Sequence, residues 1–431
     1  MTPAEAALMA AKLAAEEQPD AQQQITTQLA HAGVSYPSFT NCPLSPPLHF
    51  ATTYTRPVEG PYLPTDAIYA RLDNPTRLAL ETEVFQLETA GMTFASSAED
   101  PPLRSLAFAS GMMAISSIIL AHRSPLVVMV PQDTYHGVPT VLMDVFSRFQ
   151  VERRKVDMND ISAFKKALRA VDSSHVHLIV WMETPSNPQC HVLDIAKLSQ
   201  LAHQYHNTNV TCVVDSTLHP LQQPLQYRDV DICVQAATKY MAGHSDALLG
   251  VVTTLRPDFF QKLHQVQDSV GGVAAPMDCW LTLRGLRTLV LRFQQQSDSA
   301  LQLAQFFQNQ IIQKSCASLQ KVYYPGLPSH PQHALAVTQM KTRGGYGGVL
   351  SVEFNSEAFA MAWIAALQVA YPATSLGGTE TLVEHRASIE PPCRVVSPIG
   401  LVRISVGLEN VQDLLKDFAK ALRIATQVLS A

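Results

Sequence analysis

Four short apolar runs decide the fold: PLVVMV (125–130), HLIVWM (177–182), TCVVDS (211–216) and DICVQA (231–236). They are rich in β-branched residues, and helix-prone stretches separate them. Continuous apolar strands are typical of a mainly parallel sheet that helices cover on both faces. The pattern therefore predicts an α/β domain, in which ligands bind at the carboxyl ends of the strands.

Further elements surround these runs. RLALETEVFQLET (77–89) is an amphipathic helix, and LAFAS (106–110) reads as a strand that leads into the apolar helix SGMMAISSIILA (110–121). Residues 4–18 are helix-prone, and the Pro- and Ser-rich stretch to about residue 60 reads as an extended arm of the kind that wraps a neighbouring subunit. For residues 1–25 a frayed terminus is the alternative. The polar, Pro-containing stretch 93–104 is predicted to be a surface loop.

A different pattern begins near residue 288. It comprises one long helix (284–310), the strand-like runs VLSVEF (349–354) and VRISVGL (402–408), and a final helix (411–427). This order predicts a smaller C-terminal α+β domain. We therefore expect three parts, an N-terminal helix and arm (1–60), a ligand-binding domain (61–288) and a C-terminal domain (289–431).

Composition excludes several classes of protein. With 47% hydrophobic and 16% charged residues, the 431-residue chain is typical of a well-packed globular protein. A net charge of -5 without a long basic cluster argues against nucleic-acid binding, and no apolar run reaches the roughly 20 residues that span a bilayer. The N-terminal segment MTPAEAALMAAKLAAEEQPD resembles neither a secretory signal nor a basic transit peptide, so we expect a cytoplasmic protein.

The seven cysteines are scattered and include no CxxC pair, which predicts neither a disulfide framework nor a metal site. Cys212 and Cys233 lie in apolar runs. Buried, inert thiols are the expected state for both residues.

Polar residues follow several of the predicted strands. Lys239, in AATKY, follows one strand closely, and burial there would lower its pKa and make the neutral amine available as a nucleophile. Asp215 ends another strand, where a carboxylate needs a partner such as a protonated pyridine nitrogen. Taken alone, Lys239 could be an ordinary surface residue and Asp215 could cap the next turn.

Three other strand ends add candidates. Ser110, Gly111 and Met112 form a turn at a helix N-terminus, where backbone N–H groups can bind a phosphate. Asn187 lies in ETPSNP, and Tyr135 in PQDTYHG could stack on a ring or belong to the core. Because all these features fall at carboxyl ends of predicted strands, one ligand could contact them together.

The motifs also carry a specific resemblance. They are IYARLDNPTR (68–77), FASGMMAI (108–115), ATKYMAGHSD (237–246), SLGGTETL (375–382) and LVRISVGLE (401–409), in this order along the chain. The chain resembles the Cys/Met-metabolism, or transsulfuration, family of pyridoxal-phosphate enzymes. This resemblance implies fold type I, related to aspartate aminotransferase, with a mainly parallel seven-stranded sheet and a smaller C-terminal α+β domain.

The resemblance also implies roles for individual residues. Lys239 would hold pyridoxal 5'-phosphate (PLP) as a Schiff base and move protons, and Tyr135 would stack on the cofactor ring. Ser375 and Arg403 would bind the substrate α-carboxylate. The remaining cofactor contacts would be Ser110, Gly111, Met112, Asn187, Asp215, Thr217 and Thr238, with Tyr69 and Arg71 contributed by a second subunit. The last pair implies a homo-oligomer, a dimer of dimers, with active sites shared between subunits.

The chain departs from the family pattern at several positions. Ala236 stands where the family usually has a phosphate-binding Ser, Thr140 where synthases and γ-lyases have an Arg, and Thr374 where they have a Glu. EHRAS replaces the common EHPAS, so His385 and Arg386 are either altered substrate contacts or surface charges. We therefore expect the distal part of the substrate to be recognised differently or weakly.

The resemblance implies an enzyme that cleaves or exchanges a C–S bond in a sulfur amino acid. A cystathionine lyase acting by β- or γ-elimination is our first hypothesis. A cystathionine γ-synthase or O-acyl-homoserine sulfhydrylase, acting by γ-replacement, is the alternative within the family. A catalytically silent, PLP-binding regulatory subunit is the alternative from another class, and the departures at Ala236 and Thr140 motivate it.

Overall fold

The computed structural model describes residues 25–33, 44–55, 67–92, 104–123, 125–171, 175–206, 209–390 and 395–430. The predicted helix at 4–18 lies outside these residues, as do most of the loop at 93–104 and part of the arm that precedes residue 60. Among the described residues, no helix has the length and apolar character needed to cross a membrane.

A seven-stranded sheet forms the larger part of the structure. Its strands are β1 (Leu106–Phe108), β2 (Leu126–Pro131), β3 (Val151–Val156), β4 (His177–Glu183), β5 (Val210–Asp215), β6 (Ile232–Gln235) and β7 (Gly250–Thr254). They lie in the order β1-β7-β6-β5-β4-β2-β3, and only the two pairings of β7 are antiparallel. The expected mainly parallel seven-stranded sheet is therefore confirmed.

Helices cover both faces of this sheet. They are α1 (Ile25–Ala30), α2 (Pro75–Thr89), α3 (Gly111–Leu120), α4 (Gly137–Asp144), α5 (Ile161–Arg169), α6 (Ile195–His206), α7 (Pro257–Val270) and α8 (Pro276–Leu286), and short 3-10 turns occupy Phe146–Phe149 and Pro224–Gln226. Separate apolar clusters lie on the two faces, one of them around Trp181 and the other around Met182. Adjacent residues of β4 thus point into opposite clusters, which explains why this strand is apolar throughout.

A second sheet follows, with five strands. Its elements are α9 (Leu289–Ile312), β8 (Leu319–Tyr323), α10 (His333–Gln339), the 3-10 turn Lys341–Arg343, β9 (Val349–Phe354), α11 (Glu357–Ala365), β10 (Tyr371–Pro372), β11 (Leu382–His385), α12 (Arg386–Ile389), β12 (Leu401–Ser405) and α13 (Val411–Ser430). The strand order is β10-β11-β12-β9-β8. Helices α9, α11 and α13 pack on this sheet around Phe307, Trp363 and Phe418, as a smaller α+β unit requires.

Two features of the fold differ from the sequence interpretation. Strands β3 and β7 of the larger sheet and β8, β10 and β11 of the smaller one were missed, because VERRKV is polar and partly exposed whereas the other four are short. The predicted helix 284–310 is divided, since α8 ends at Leu286 and α9 begins at Leu289. Gly285 lies in the last turn of α8, and the contacts of Gly285 and Arg292 with the chain after β6 accompany the break.

Gly285 and Arg292 hold the turn that carries Lys239. The Arg292 guanidinium donates to the carbonyl oxygens of Tyr240 (2.9 Å) and Gly285 (2.7 Å), and burial lowers its pKa to about 10. A Cβ atom at Gly285 would lie 2.3 Å from the Ala242 carbonyl oxygen. Helix α8 can therefore approach this turn only because residue 285 has no side chain.

We expect Gly285→Ala to lower the free energy of unfolding by about 1–3 kcal/mol, because the methyl group overlaps backbone atoms that cannot move independently. This is the net change, because the cost of the overlap exceeds the gain of roughly 1 kcal/mol that Ala brings to a helix interior. Urea unfolding followed by circular dichroism measures it. Arg284→Ala, an exposed change on the same helix, should stay within about 0.5 kcal/mol of the parent. Equal stability of Gly285→Ala and the parent would contradict the proposed close packing.

Candidate active site

A cavity of about 470 Å³ opens at the carboxyl ends of the central strands, where the sequence places it. Residues from both sheets line it. They include Ser110, Gly111, Met112, Tyr135, Asn187, Asp215, Thr217, Thr238, Lys239, Ser375 and Arg403. The structure therefore brings eleven of the predicted site residues together around one space.

Lys239 lies in the turn after β6. Its Nζ donates a hydrogen bond to Ser375 Oγ at 2.8 Å. Burial, followed by the positive charge of Arg403, lowers the pKa of the amine to about 8, although Glu384 acts in the opposite direction. A larger fraction of this amine than of an ordinary lysine is therefore neutral near neutral pH and able to act as a nucleophile or a base.

Asp215 ends β5 and is buried beside β4. Thr217 donates to its Oδ1 from the backbone N (3.0 Å) and from Oγ1 (2.6 Å). Burial raises the pKa of this carboxyl to about 6 despite these two bonds. A cationic partner in the cavity would favour the ionised carboxylate and bring the pKa down again.

The turn at the start of α3 brings the backbone N–H groups of a helix N-terminus to the cavity. Ser110 caps the helix by accepting a bond from the Met113 backbone N at 3.0 Å. A Cβ atom at Gly111 would lie 3.0 Å from the Ala236 Cβ, so this wall is close to the turn after β6. The N-terminus of a ten-residue helix thus faces the cavity, and its free N–H groups suit an anion.

Arg403 on β12 connects the two sheets. Its Nη2 donates to the Ser375 carbonyl oxygen (2.6 Å), and its Nη1 lies 3.3 Å from Asn187 Oδ1. Nη2 also forms an ion pair with Glu384. Burial lowers the pKa of Arg403 to about 10, and its Nε has no hydrogen-bond partner. This unused donor beside the cavity fits the carboxylate of an amino acid.

Glu183 is a site residue that the sequence interpretation missed. This buried side chain accepts bonds from Thr134 Oγ1 (2.6 Å) and from the backbone N atoms of Tyr135 (2.7 Å) and Asn187 (2.8 Å). It pairs in register with Asp215, and burial and that neighbour raise its pKa well above the usual range. Its place at the end of β4, like that of Asp215 at the end of β5, was the signal that could have identified it.

The stacking role of Tyr135 stays a prediction. Its side chain is partly buried and lines the cavity, and burial, followed by Glu183 and Asp215, raises the pKa of the phenol. The ring of His136 lies 4.7 Å away, centroid to centroid.

Tyr69 and Arg71 do not join this cavity. Tyr69 is 45% exposed, and the Arg71 guanidinium lies 5.8 Å from its ring and bonds to the Asp268 carbonyl oxygen. If Tyr69 and Arg71 contribute to an active site, it is the site of another subunit.

The positions that depart from the family pattern have different locations. Thr374 lines the cavity, whereas Thr140 lines an adjoining cavity of about 730 Å³. His385 and Arg386 are 5% and 2% exposed, so their interpretation as surface charges is wrong. His385 bonds to Ser388 and to the Ile399 carbonyl oxygen, while Arg386 lines both cavities.

Another cluster lies away from the site. His203, Cys212 and Asp231 bring potential metal ligands within 4.8 Å of one another. However, the Asp231 carboxylate contacts Arg256 (2.9 Å) and accepts a bond from the Cys212 backbone N (2.8 Å). Because these donors already occupy the carboxylate, we assign no metal to the cluster. Cys212 and Cys233 are buried, and burial raises the pKa of both thiols, as expected for inert cysteines.

The cavity has the features that pyridoxal phosphate requires. Lys239 can bond to an aldehyde, Asp215 can pair with a protonated ring nitrogen, and the α3 N-terminus can bind a phosphate. Thr238 also lines the cavity, with its Oγ1 bonded to the Leu249 carbonyl oxygen at 3.1 Å. The fold and this arrangement define an enzyme of the fold type I pyridoxal-phosphate class.

Comparison with known proteins identifies the family. The profile described as "Cys/Met metabolism PLP-dependent enzyme" matches residues 26–423. The chain belongs to this family of PLP-dependent enzymes. The relatives found for it act on sulfur amino acids. The resemblance recognised in the sequence is therefore confirmed.

Three relatives carry different activities in their names. The chain is 34% identical to the cystathionine gamma-lyase of Bacillus subtilis over 405 residues, which cover 92% of this chain and 98% of that one. It is 33% identical to a cystathionine beta-lyase of Lactococcus lactis, with 92% and 98% covered. The structure of a cystathionine gamma synthase from Xanthomonas oryzae has a TM-score of 0.81 at 28% identity and covers 95% and 100%. The relatives establish a PLP-dependent transsulfuration enzyme without selecting one reaction.

We expect covalent capture of the cofactor by the cofactor-free protein to accelerate with pH, with a midpoint near 8. The neutral amine of Lys239 predominates only above its lowered pKa of about 8. Stopped-flow absorbance of added pyridoxal phosphate measures the rate constant. Arg403→Met should move the midpoint upward, because the positive charge of Arg403 lowers this pKa, and Glu384→Gln should move it downward. A midpoint above 10 in the parent would contradict this electrostatic description.

Proposed function

We propose that this protein is a cystathionine lyase, which breaks a C–S bond by β- or γ-elimination. The observation that carries the proposal is Lys239, whose amine has a pKa of about 8 and is held by Ser375 in the same cavity as Asp215 and Arg403. Elimination needs one amino acid and water, whereas replacement also needs a second substrate. A γ-lyase and a β-lyase stand among the relatives beside a γ-synthase, so elimination is our first hypothesis and replacement the alternative.

In this proposal the residues of the chain divide the work. When bound, pyridoxal phosphate supplies an electron sink for negative charge at the substrate α-carbon. Arg403 binds the α-carboxylate through its unused Nε and fixes the orientation of the amino acid. Lys239 accepts the α-proton at Nζ and donates a proton to the departing sulfur atom, while Ser375 Oγ holds Nζ in place.

The remaining side chains hold the cofactor. Asp215 would keep the ring nitrogen protonated, and Gly111, Met112, Ser110 and Thr238 would hold the phosphate at the α3 N-terminus. Tyr135 would stack on the ring and Asn187 would contact the ring hydroxyl, while Thr217 orients Asp215 through the bonds already described. Ala236 supplies no hydroxyl group here, so one phosphate contact of the family pattern is absent.

We further propose a homo-oligomer, a dimer of dimers, in which Tyr69 and Arg71 complete the site of a neighbouring subunit. Their exposed position outside the cavity of their own chain supports this arrangement. The cytoplasmic location and the boundaries 1–60, 61–288 and 289–431 stay predictions, although α9 begins at Leu289.

Incubation of the cofactor-loaded protein with cystathionine should release a thiol and a 2-oxo acid. Homocysteine would identify β-cleavage and cysteine would identify γ-cleavage. Chromatography of the derivatised thiols distinguishes them. Lys239→Ala should reduce turnover by at least about 1,000-fold, because the variant lacks the proton acceptor. An active Lys239→Ala variant would contradict the proposed role of Lys239.

Absence of any thiol would contradict the lyase assignment. Formation of cystathionine from cysteine and an activated homoserine would then favour γ-replacement. A cofactor spectrum that no amino acid changes would favour the silent regulatory subunit.

Co-expression of two inactive variants tests the shared site. Arg71→Ala and Lys239→Ala should each be inactive alone. In a randomly mixed population, half of the dimers combine the two chains and have one intact site of two, so about a quarter of the parental activity should return. No recovery in mixed oligomers that have been verified by mass spectrometry would contradict a contribution of Arg71 across the interface.

A further inference from the structure

Arg386 is a buried cation that the proposed reaction does not use. It begins α12 directly after β11, and its side chain is almost completely enclosed. Arg386, His136 and Glu183 are the described residues that line both the active-site cavity and the adjoining 730 Å³ cavity. The guanidinium therefore lies where the two spaces meet.

One edge of this guanidinium lacks a hydrogen-bond partner among the described residues. Nη1 donates to Glu384 Oε2 at 3.2 Å, but Nη2 lies 3.8 Å from its nearest acidic oxygen, Oε1 of Glu390. Nε is buried and has no partner. Nε and Nη2 form the planar edge that binds both oxygens of a carboxylate.

The two neighbouring glutamates are engaged elsewhere. Glu384 forms its closest ion pair with Arg403, so one carboxylate oxygen lies between two guanidinium groups. Glu390 accepts bonds from the backbone N atoms of Val396 (2.7 Å) and Ser397 (3.1 Å), and from the Ser397 hydroxyl. Neither glutamate accepts a hydrogen bond from Nε or Nη2 of Arg386, although Glu390 lies within ion-pair distance of Nη2. The buried Nε thus lacks an acceptor, and a ligand oxygen beside Nε and Nη2 would remove the energetic cost of that unpaired donor.

The position of Arg386 also fits a substrate that extends from Arg403. Both guanidinium groups contact Glu384, and Arg386 lines both cavities, so the side chain of an amino acid bound at Arg403 would pass close to Arg386 on a path into the second cavity. Thr140, which replaces an Arg in the family pattern, lines that second cavity. Arg386 thus brings a positive charge to the second cavity from the start of α12, whereas the Arg of the family pattern would come from the position of Thr140.

Other charges line the second cavity. Asp133 accepts bonds from Ser186 and from the Gln189 backbone N (3.0 Å), and Asp157 accepts one from the Asn159 backbone N (3.0 Å). Arg153 and Lys155 extend into it from β3, but both side chains are exposed. Arg386 is the buried one of these three cations, and water competes least for it.

We propose that Arg386 is a specificity-determining residue that binds a carboxylate at the distal end of the substrate side chain. The substrate class is then an α-amino acid with a second carboxylate beyond its sulfur atom. This inference rests on the proposed function and deepens it, because cystathionine carries such a group. It also explains why the chain has an Arg in EHRAS.

A matched pair of ligands tests the proposal without turnover. S-(3-carboxypropyl)-L-cysteine carries the distal carboxylate, and S-butyl-L-cysteine has a methyl group in its place. Isothermal titration calorimetry on the cofactor-loaded Lys239→Ala protein gives both dissociation constants. We expect the carboxylate ligand to bind about 10- to 100-fold more tightly, as one charge-assisted pair predicts.

Adding Arg386→Met should bring the ratio of the two dissociation constants close to one. Arg153→Met, which removes an exposed cation from the same cavity, should keep the parental ratio. If Arg386→Met does not fold, Arg386→Lys decides: it keeps the charge but loses the planar edge, and should reduce the ratio several-fold. Any of three results would overturn the proposal. The Lys239→Ala protein could bind both ligands equally, the ratio of dissociation constants could stay unchanged in the Arg386 variants, or Arg153→Met could abolish the ratio.

These results separate this inference from the proposed function. Thiol release from cystathionine with an unchanged affinity ratio would refute the role of Arg386 alone. A ratio that depends on Arg386 would support the distal carboxylate subsite even in an enzyme that catalyses replacement.

Discussion

The hydrogen bond from Lys239 Nζ to Ser375 Oγ joins the two parts of the molecule at the point of chemistry. Lys239 follows a strand of the seven-stranded sheet, and Ser375 precedes β11 of the smaller one. The approach is so close that a Cβ atom at Gly377 would lie 2.8 Å from the Tyr240 backbone N. Ser375 itself has a φ of 81°, a left-handed conformation that a residue with a side chain rarely adopts. The site therefore depends on the packing of both sheets against each other.

Burial then determines the electrostatics of this junction. It lowers the pKa of Lys239 to about 8 and that of Arg403 to about 10, and it raises the pKa of Asp215 to about 6. Each shift favours the neutral form, because charges in the cavity lose contact with water. A bound amino acid and a bound cofactor supply charges of opposite sign to these groups. The charged groups of the cavity are thus already placed where the opposite charges of a cofactor and an amino acid would stabilise them.

Much of the fold followed from the sequence because its central strands are apolar without interruption. The five missed strands lack that signal because they are short or polar, and Gly285 alone, in the last turn of α8, did not show that the helix ends there. Eleven site residues were found because they follow strands or match motifs, whereas Glu183 was missed although it ends a strand like Asp215. The burial of Arg386 depends on tertiary packing, so the residues alone could not distinguish a surface charge from a ligand contact.

The most direct test of this account is the location of the covalent bond between the protein and its cofactor. Reduction of the cofactor-loaded protein with borohydride, followed by proteolysis and peptide mass spectrometry, fixes the bond at one lysine. We predict a pyridoxyl group on Lys239, in the peptide that contains AATKYMAGHSD. A modification confined to another lysine, or none in a protein that has bound the cofactor, would contradict the account.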